Sequence, residues 1–196
     1  NMCKIIDKYM SKDILGIAVS GTGQIDGSIG KVIGGNPIIP GWIGTNLVEK
    51  LETKYSLPAV LENDVNCAAL GEKWLGAGKG AEGFVCLTIG TGIGGGIVLN
   101  GDIFRGDTCV AGEFGHIQIE KDGEQCLCGK KGCYERYASA TALVRMVKEK
   151  TGKELNGKEI FELEKSGDKE IKEVVDRWID YFTDGDRKST RLNSSH

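Results

Sequence analysis

The sequence predicts an α/β chain whose strands come early and whose helices come late, and three observations lead there. Short apolar runs closed by glycine or asparagine turns recur from Ile14 to Leu99. From Tyr137 onward the apolar residues fall instead at spacings of three and four. Glycine is about twice as frequent as the usual ~7%, and 26 of the 30 glycines lie between Gly16 and Gly132. Strands and helices mixed in the first half, followed by helices, suggest two lobes with a cleft between them.

Taken in order, Met2, Ile5, Ile6, Tyr9 and Met10 repeat as one face of a helix. A start in mid-helix, with no strand before it, suggests that an upstream segment is missing. Ile14 to Val19 reads as a buried strand closed by Ser20-Gly21-Thr22-Gly23. Ile25 to Ile33 alternates with glycines, as a hairpin or irregular edge strand would. Thr45 to Tyr55 is a helix with Leu47, Val48 and Leu51 on one side. Pro58 to Glu62 is a short strand, and Asp64 to Leu75 a helix with Asp64 placed as its N-cap. Phe84 to Ile89 is a buried strand, Gly95 to Leu99 runs back, and Asn100-Gly101 marks a further hairpin. His116 to Ile119 alternates like a half-buried strand. Leu143, Val144 and Val147, then Ile160, Phe161 and Leu163, then Ile171, Val174, Val175, Trp178 and Phe182 carry the helices.

Composition excludes several classes of function. With a net charge of −3, the chain lacks the Lys and Arg excess of a nucleic-acid binder. No apolar run approaches the ~18–20 residues of a membrane span. Asn1 to Asp13 lacks the apolar centre of a signal peptide. The seven cysteines are odd in number and unevenly spaced, which argues against a secreted disulfide framework and for a cytoplasmic protein with reduced thiols.

Three stretches carry chemistry. Thr88 to Gly96 is the densest glycine run, and Gly90, Gly92 and Gly95 formally satisfy G-x-G-x-x-G. That motif signals a dinucleotide site only when it opens a helix, and here a strand and a hairpin follow. A glycine turn between strands can still offer backbone N–H groups to phosphate; the alternative is a tight hairpin needing positive φ. Glu62-Asn63-Asp64-Val65-Asn66 lies where a strand gives way to a helix, the end that faces ligands in α/β proteins. Asp64 can take a proton from a hydroxyl, or simply cap the helix. Glu113-Phe114-Gly115-His116 precedes Cys126-x-Cys128-Gly129-x-x-Gly132-Cys133-x-Glu135. Three thiolates and one imidazole, from His116, Cys126, Cys128 and Cys133, complete a tetrahedral zinc shell with no open position. The alternative is three reduced cysteines with no metal.

Together these segments resemble the ROK family of bacterial sugar kinases and sugar-responsive repressors, over most of Ile14 to Lys150. The resemblance implies the actin/hexokinase-like (ribonuclease H-like) two-lobed fold, incomplete here. Residues 1–63 would be the remainder of the small N-terminal lobe and 64–182 the large lobe with phosphate loop, sugar site and zinc element. Residues 183–196 would be a non-native or disordered tail, since Asp186 to His196 resembles the translation of a sequencing-library adapter. It further implies ATP-dependent phosphorylation of a hexose, of glucokinase, N-acetylmannosamine kinase or β-glucoside kinase type. Asp64 would be the catalytic base. Asn36, Asn63, Glu113, His116 and Glu135 would hold the sugar, and Gly90, Thr91, Gly92, Gly94 and Gly95 would receive the phosphates of ATP with Mg²⁺. Structural Zn²⁺ on His116, Cys126, Cys128 and Cys133 would fix the sugar contacts relative to one another. Family members commonly dimerise, and the late helices could supply a homodimer surface.

The family's D-x-G-G-T phosphate motif and the region completing its adenosine pocket are absent from the sequence, so the chain by itself is expected to be inactive. Two other readings stand beside the kinase. One is a transcriptional repressor of the same family, with nucleic acid as partner through a DNA-binding region outside this sequence. The other is a non-catalytic sugar-binding module. No membrane partner is expected.

Overall fold

The computed structural model describes residues 2–35 and 39–193. The chain divides into two compact units, the first formed by residues 1–67 with Gly106–Val110, the second by Ala68–Arg105 with residues 111–196.

In the first unit, helix α1 (Met2–Tyr9) is followed by strand β1 (Ile17–Gly21), the hairpin of β2 (Gln24–Asp26) and β3 (Lys31–Gly34), helix α2 (Leu47–Tyr55) and strand β4 (Ala59–Asn63). Strands β1 and β4 pair in parallel from Ile17↔Ala59 to Gly21↔Asn63, and β2 pairs with β3 antiparallel. Parallel neighbours need a crossover connection, and α2 lies within it. Asn46 caps α2 by accepting from the Glu49 N–H at 3.1 Å. Ser56 ends the helix in the left-handed region at φ 54°. Ile25, Val32, Leu47, Leu51, Ala59 and Leu61 form the core of this unit, with Met2, Ile6, Trp42 and Tyr55 packed against it. Of the apolar face read from residues 2–10, Met2 and Ile6 dock on this core, whereas Ile5, Tyr9 and Met10 stay exposed.

Helix α3 (Asp64–Leu75) leads into the second unit, where β5 (Phe84–Ile89), β6 (Ile93–Leu99) and β7 (Asp102–Ile103) form an antiparallel sheet in that order. Ala69 of α3 is buried with Val98 and Ile103 of this sheet. Asn100 and Gly101, at φ 51° and 85°, make the β6–β7 turn, the two positive values that a tight hairpin of this twist requires. Helices α4 (Glu135–Ala138), α5 (Ala140–Thr151), α6 (Gly157–Lys165) and α7 (Lys169–Asn193) complete the unit. Leu143, Val147, Ile160, Ile171, Val174 and Val175 bury one face each of α5, α6 and α7 in a common core. Asn156 and Glu159 form a reciprocal capping box that starts α6.

The reading of a strand at His116 to Ile119 needs correcting. His116 to Ile119 is not a strand. Phe114–His116 is a 3-10 turn, and only an isolated bridge, Gln118↔Cys133, follows it. The alternation came from a chain bending to bring His116 toward the cysteines, not from a pleat. The stretch after Phe182, expected as a non-native or disordered tail, is helical through Asn193 as the end of α7. Gly185 sits against the Tyr134 ring, where a β-carbon would collide with it. Tyr134 Oη donates to the Phe182 carbonyl at 2.8 Å, and Ser189 is buried. Among the described residues no helix is long and apolar enough to cross a membrane.

Candidate functional site

In the first unit the candidate residues Asn63 and Asp64 sit where β4 passes into α3. Asn63, not Asp64, caps the helix. Its Oδ1 accepts from the N–H groups of Val65 at 2.9 Å and Asn66 at 3.1 Å, and its Nδ2 donates to the Gly23 carbonyl at 3.0 Å. Glu62 Oε1 accepts from the Asn63 N–H and from Asn66 Nδ2, at 2.8 and 2.9 Å. The cap has therefore moved one residue upstream of its expected place. Asp64 is exposed, and its Oδ1 shares the Val65 N–H at 3.0 Å. Only that one oxygen of its carboxylate touches the first turn. Both acceptor positions of Asn63 are used internally, leaving the second Nδ2 hydrogen for a ligand. Asn36 lies outside the described residues.

In the second unit, His116, Cys126, Cys128 and Cys133 bring one ligand atom each to within 4.8 Å of one another. Cys128 Sγ lies 3.5 Å from Cys133 Sγ, and Cys126 Sγ lies 3.6 Å from His116 Nδ1. Zinc with Zn–S of about 2.3 Å and Zn–N of about 2.05 Å, held tetrahedrally, needs S···S of about 3.8 Å and S···N of about 3.6 Å. The donor set fits the ion in chemistry and in spacing. The hairpin of chain that delivers the thiols turns at Gly129 and Gly132, at φ 88° and 72°; a β-carbon at Gly132 would also strike the Glu120 carbonyl. Burial pushes the Cys126 thiol up to about 12 and raises that of Cys133. At Cys128, burial is outweighed by the Lys130 N–H and the neighbouring thiols, and the thiol is lowered. Bare, the buried thiols would keep their protons; a divalent cation reverses that balance.

The carboxylates gather around the same histidine. Glu113 Oε2 is 3.8 Å from His116 Nε2, and Glu135 Oε1 is 3.7 Å from His116 Nδ1 and 3.2 Å from Cys126 Sγ. Glu113 and His116 line an open cleft together with Ile117, Gln118, Lys130 and Lys131. The structure thus brings together Glu113, His116 and Glu135 with the three thiols.

The glycine turn joins β5 and β6, with Ile89 opposite Ile93. None of Gly90, Gly92, Gly94 and Gly95 is in the left-handed region, so positive φ does not explain them. Space does at two of them. A β-carbon on Gly92 would lie 2.6 Å from Glu135 Oε2, and one on Gly95 would lie 2.5 Å from the Gly112 carbonyl and closer still to the Phe114 ring. The turn is tied to the helices as well, since Gly90 O accepts from the Ala140 N–H at 3.0 Å. The run is therefore glycine-rich partly so that the Glu113–His116 and Glu135 segments can press against it.

Sequence reading missed Glu124. Burial notwithstanding, the Arg145 guanidinium at 2.6 Å, helped by Arg136, holds its carboxyl below the usual range, while its N–H is met by Tyr137 Oη at 2.6 Å. This knot fastens the start of the cysteine loop to α4 and α5. An acidic residue flanked by Gly123 and Gln125 carries no local sign of it.

Over the part it covers, the chain has the actin/hexokinase-like fold of the solved sugar-kinase structures with which it aligns. Residues 2–191 match the ROK family, and the chain belongs to that family. It is 42% identical over 156 residues to a glucokinase of Halalkalibacterium halodurans, covering 76% of this chain and 47% of that protein. It is 38% identical over 122 residues to the xylose repressor of Bacillus subtilis, covering 62% of this chain and 32% of the repressor. The structure of a ROK family glucokinase from Streptomyces griseus, in complex with glucose and AMPPNP, aligns with TM-score 0.78 at 34% identity, covering 92% of this chain and 62% of that one. The chain spans about half the length of the glucokinase relative.

Proposed function

We propose that this chain carries the hexose-holding and phosphate-receiving parts of an ATP-dependent sugar kinase. The observation that carries the reading is the Asn63 cap, which leaves the Asp64 carboxylate exposed at a strand-to-helix junction. Asp64 would accept the proton of a sugar hydroxyl as that oxygen attacks the γ-phosphorus of ATP. Phosphoryl transfer is mainly positioning and charge stabilisation, so a well-placed base suffices. Glu113, His116 Nε2 and Glu135 would hold the other hydroxyls, and a sugar lacking a matching group would leave one of them unpaired and be rejected. Asn63 would donate one hydrogen bond, Asn36 would add a contact, and the Gly90–Gly95 turn would receive phosphates with Mg²⁺. His116, Cys126, Cys128 and Cys133 would hold Zn²⁺, which when bound braces the imidazole and the loop and takes no part in the transfer.

The likeness to glucokinases supports this reading, as does the S. griseus enzyme's complex with glucose and AMPPNP. A second reading, a sugar-sensing repressor, is favoured by the identity to the xylose repressor; such a sensor needs neither base nor phosphate turn. Calorimetric titration of the zinc-loaded chain with glucose, N-acetylmannosamine and a β-glucoside, then with ATP·Mg²⁺, separates them. Hexose and nucleotide binding together are expected of the kinase; hexose binding alone favours the sensor. Coupled ADP release is expected to be slow or nil, because the chain covers 62% of the S. griseus enzyme. Failure of every hexose to bind refutes both readings.

A further inference from the structure

Glu135 is held between two structures. Its Oε1 faces the cluster, 3.2 Å from Cys126 Sγ and 3.7 Å from His116 Nδ1. Its Oε2 faces the β5–β6 turn, where Gly92 leaves room that a β-carbon would fill to 2.6 Å. The turn cannot draw back to make space. Gly90 O is bonded to the Ala140 N–H, just beyond α4, and Ile93 is buried with Tyr134 and Ala138 on either side of Glu135. The Gly115 backbone also lies directly against the Ile93 carbonyl. What can move is the far end of the Glu135 side chain.

We infer that Gly92 is a positioning residue for Glu135: its missing side chain lets the turn press the carboxylate against the metal cluster, in the orientation from which it meets the hexose. The last clause rests on the sugar-kinase reading; the packing itself does not. It follows that the turn and the clamp are set by one contact, and that a β-carbon at 92 displaces the carboxylate.

The test is a double-mutant cycle of Gly92→Ala and Glu135→Asp on the chain loaded with Co²⁺ in place of zinc. Asp is one methylene shorter, so it clears a β-carbon at 92. Gly92→Ala alone is expected to shift the thiolate-to-cobalt and d–d bands, because the carboxylate charge moves relative to the Cys126 and His116 ligands. In the Glu135→Asp background the same change is expected to shift nothing further. Hexose affinity of the zinc-loaded chain should fall about tenfold or more in Gly92→Ala, the worth of one hydrogen bond to a charged group, and should not fall further when Gly92→Ala is added to Glu135→Asp. Equal spectral shifts in both backgrounds, or none in either, would overturn the inference. Should the spectral cycle behave as described while no hexose binds, the positioning stands and the sugar-kinase reading falls.

Discussion

Gly95 offers the sharpest single perturbation in the glycine hairpin. Its φ is not in the left-handed region, so Gly95→Ala carries no backbone strain and its effect is steric. The added methyl would lie 2.5 Å from the Gly112 carbonyl oxygen and overlap the Phe114 ring. One obstacle is main chain, and the other is a buried aromatic at the start of the 3-10 turn. Overpacking of this kind costs roughly 1–3 kcal/mol, and the stiffer unfolded chain returns about 0.4–1 kcal/mol. A net loss of about 1–2 kcal/mol corresponds to a fall in Tm on the order of 5 °C. Gly90→Ala, in the same turn, is the control. Nothing lies within 4 Å of its β-carbon position, so only the unfolded-state gain remains and Tm should hold or rise slightly. Thermal melts of the zinc-loaded proteins, followed by near-ultraviolet circular dichroism, read both. The reasoning is refuted if Gly95→Ala melts with the wild type, or if the two variants fall together.

Three further outcomes are expected. Cys133→Ser should reduce bound zinc from one ion per chain to none at micromolar free metal, and chelation should lower the Tm of the wild type but not of the variant; metal analysis and melting check this. Asn63→Ala should cost about 1 kcal/mol as a lost cap, whereas Asp64→Asn should leave urea stability within about 0.5 kcal/mol while removing any ADP release; equal destabilisation by both would return the cap to Asp64. Glu124 has its carboxyl lowered in the folded state by Arg145 and then Arg136. Its contribution is therefore present above the unfolded glutamate value of about 4.3 and fades as pH falls through the lower folded value. The stability gap between wild type and Glu124→Gln should be open at pH 7 and close in acid; a gap independent of pH would count against the ion pair.

The legible parts of the fold were those fixed by neighbours in sequence. Asn100-Gly101 names its own turn, and the helix from Leu143 onward shows its buried face in its spacing. The Cys₃His cluster was legible too, because thiols two and five residues apart with glycines between them can meet. What could not be read depended on distant contacts. The alternation of His116 to Ile119 mimics a strand because nothing local reports that its backbone bends toward Cys126. The end of α7 has no apolar rhythm, and it is held by Gly185 lying on Tyr134. The glycines at 92 and 95 look like a phosphate cradle or a φ requirement, and nothing local reports that Glu135, Phe114 and Gly112, between 17 and 43 residues further along, crowd them as well.

Because the residue that anchors the opening amides of α3 is a carboxamide, that end of the helix has an acceptor whose strength is indifferent to acidity. A carboxyl in the same post would weaken as an anchor each time it gained a hydrogen. A base at Asp64, as proposed, would leave that anchor untouched, since the first turn beneath it is held by Asn63.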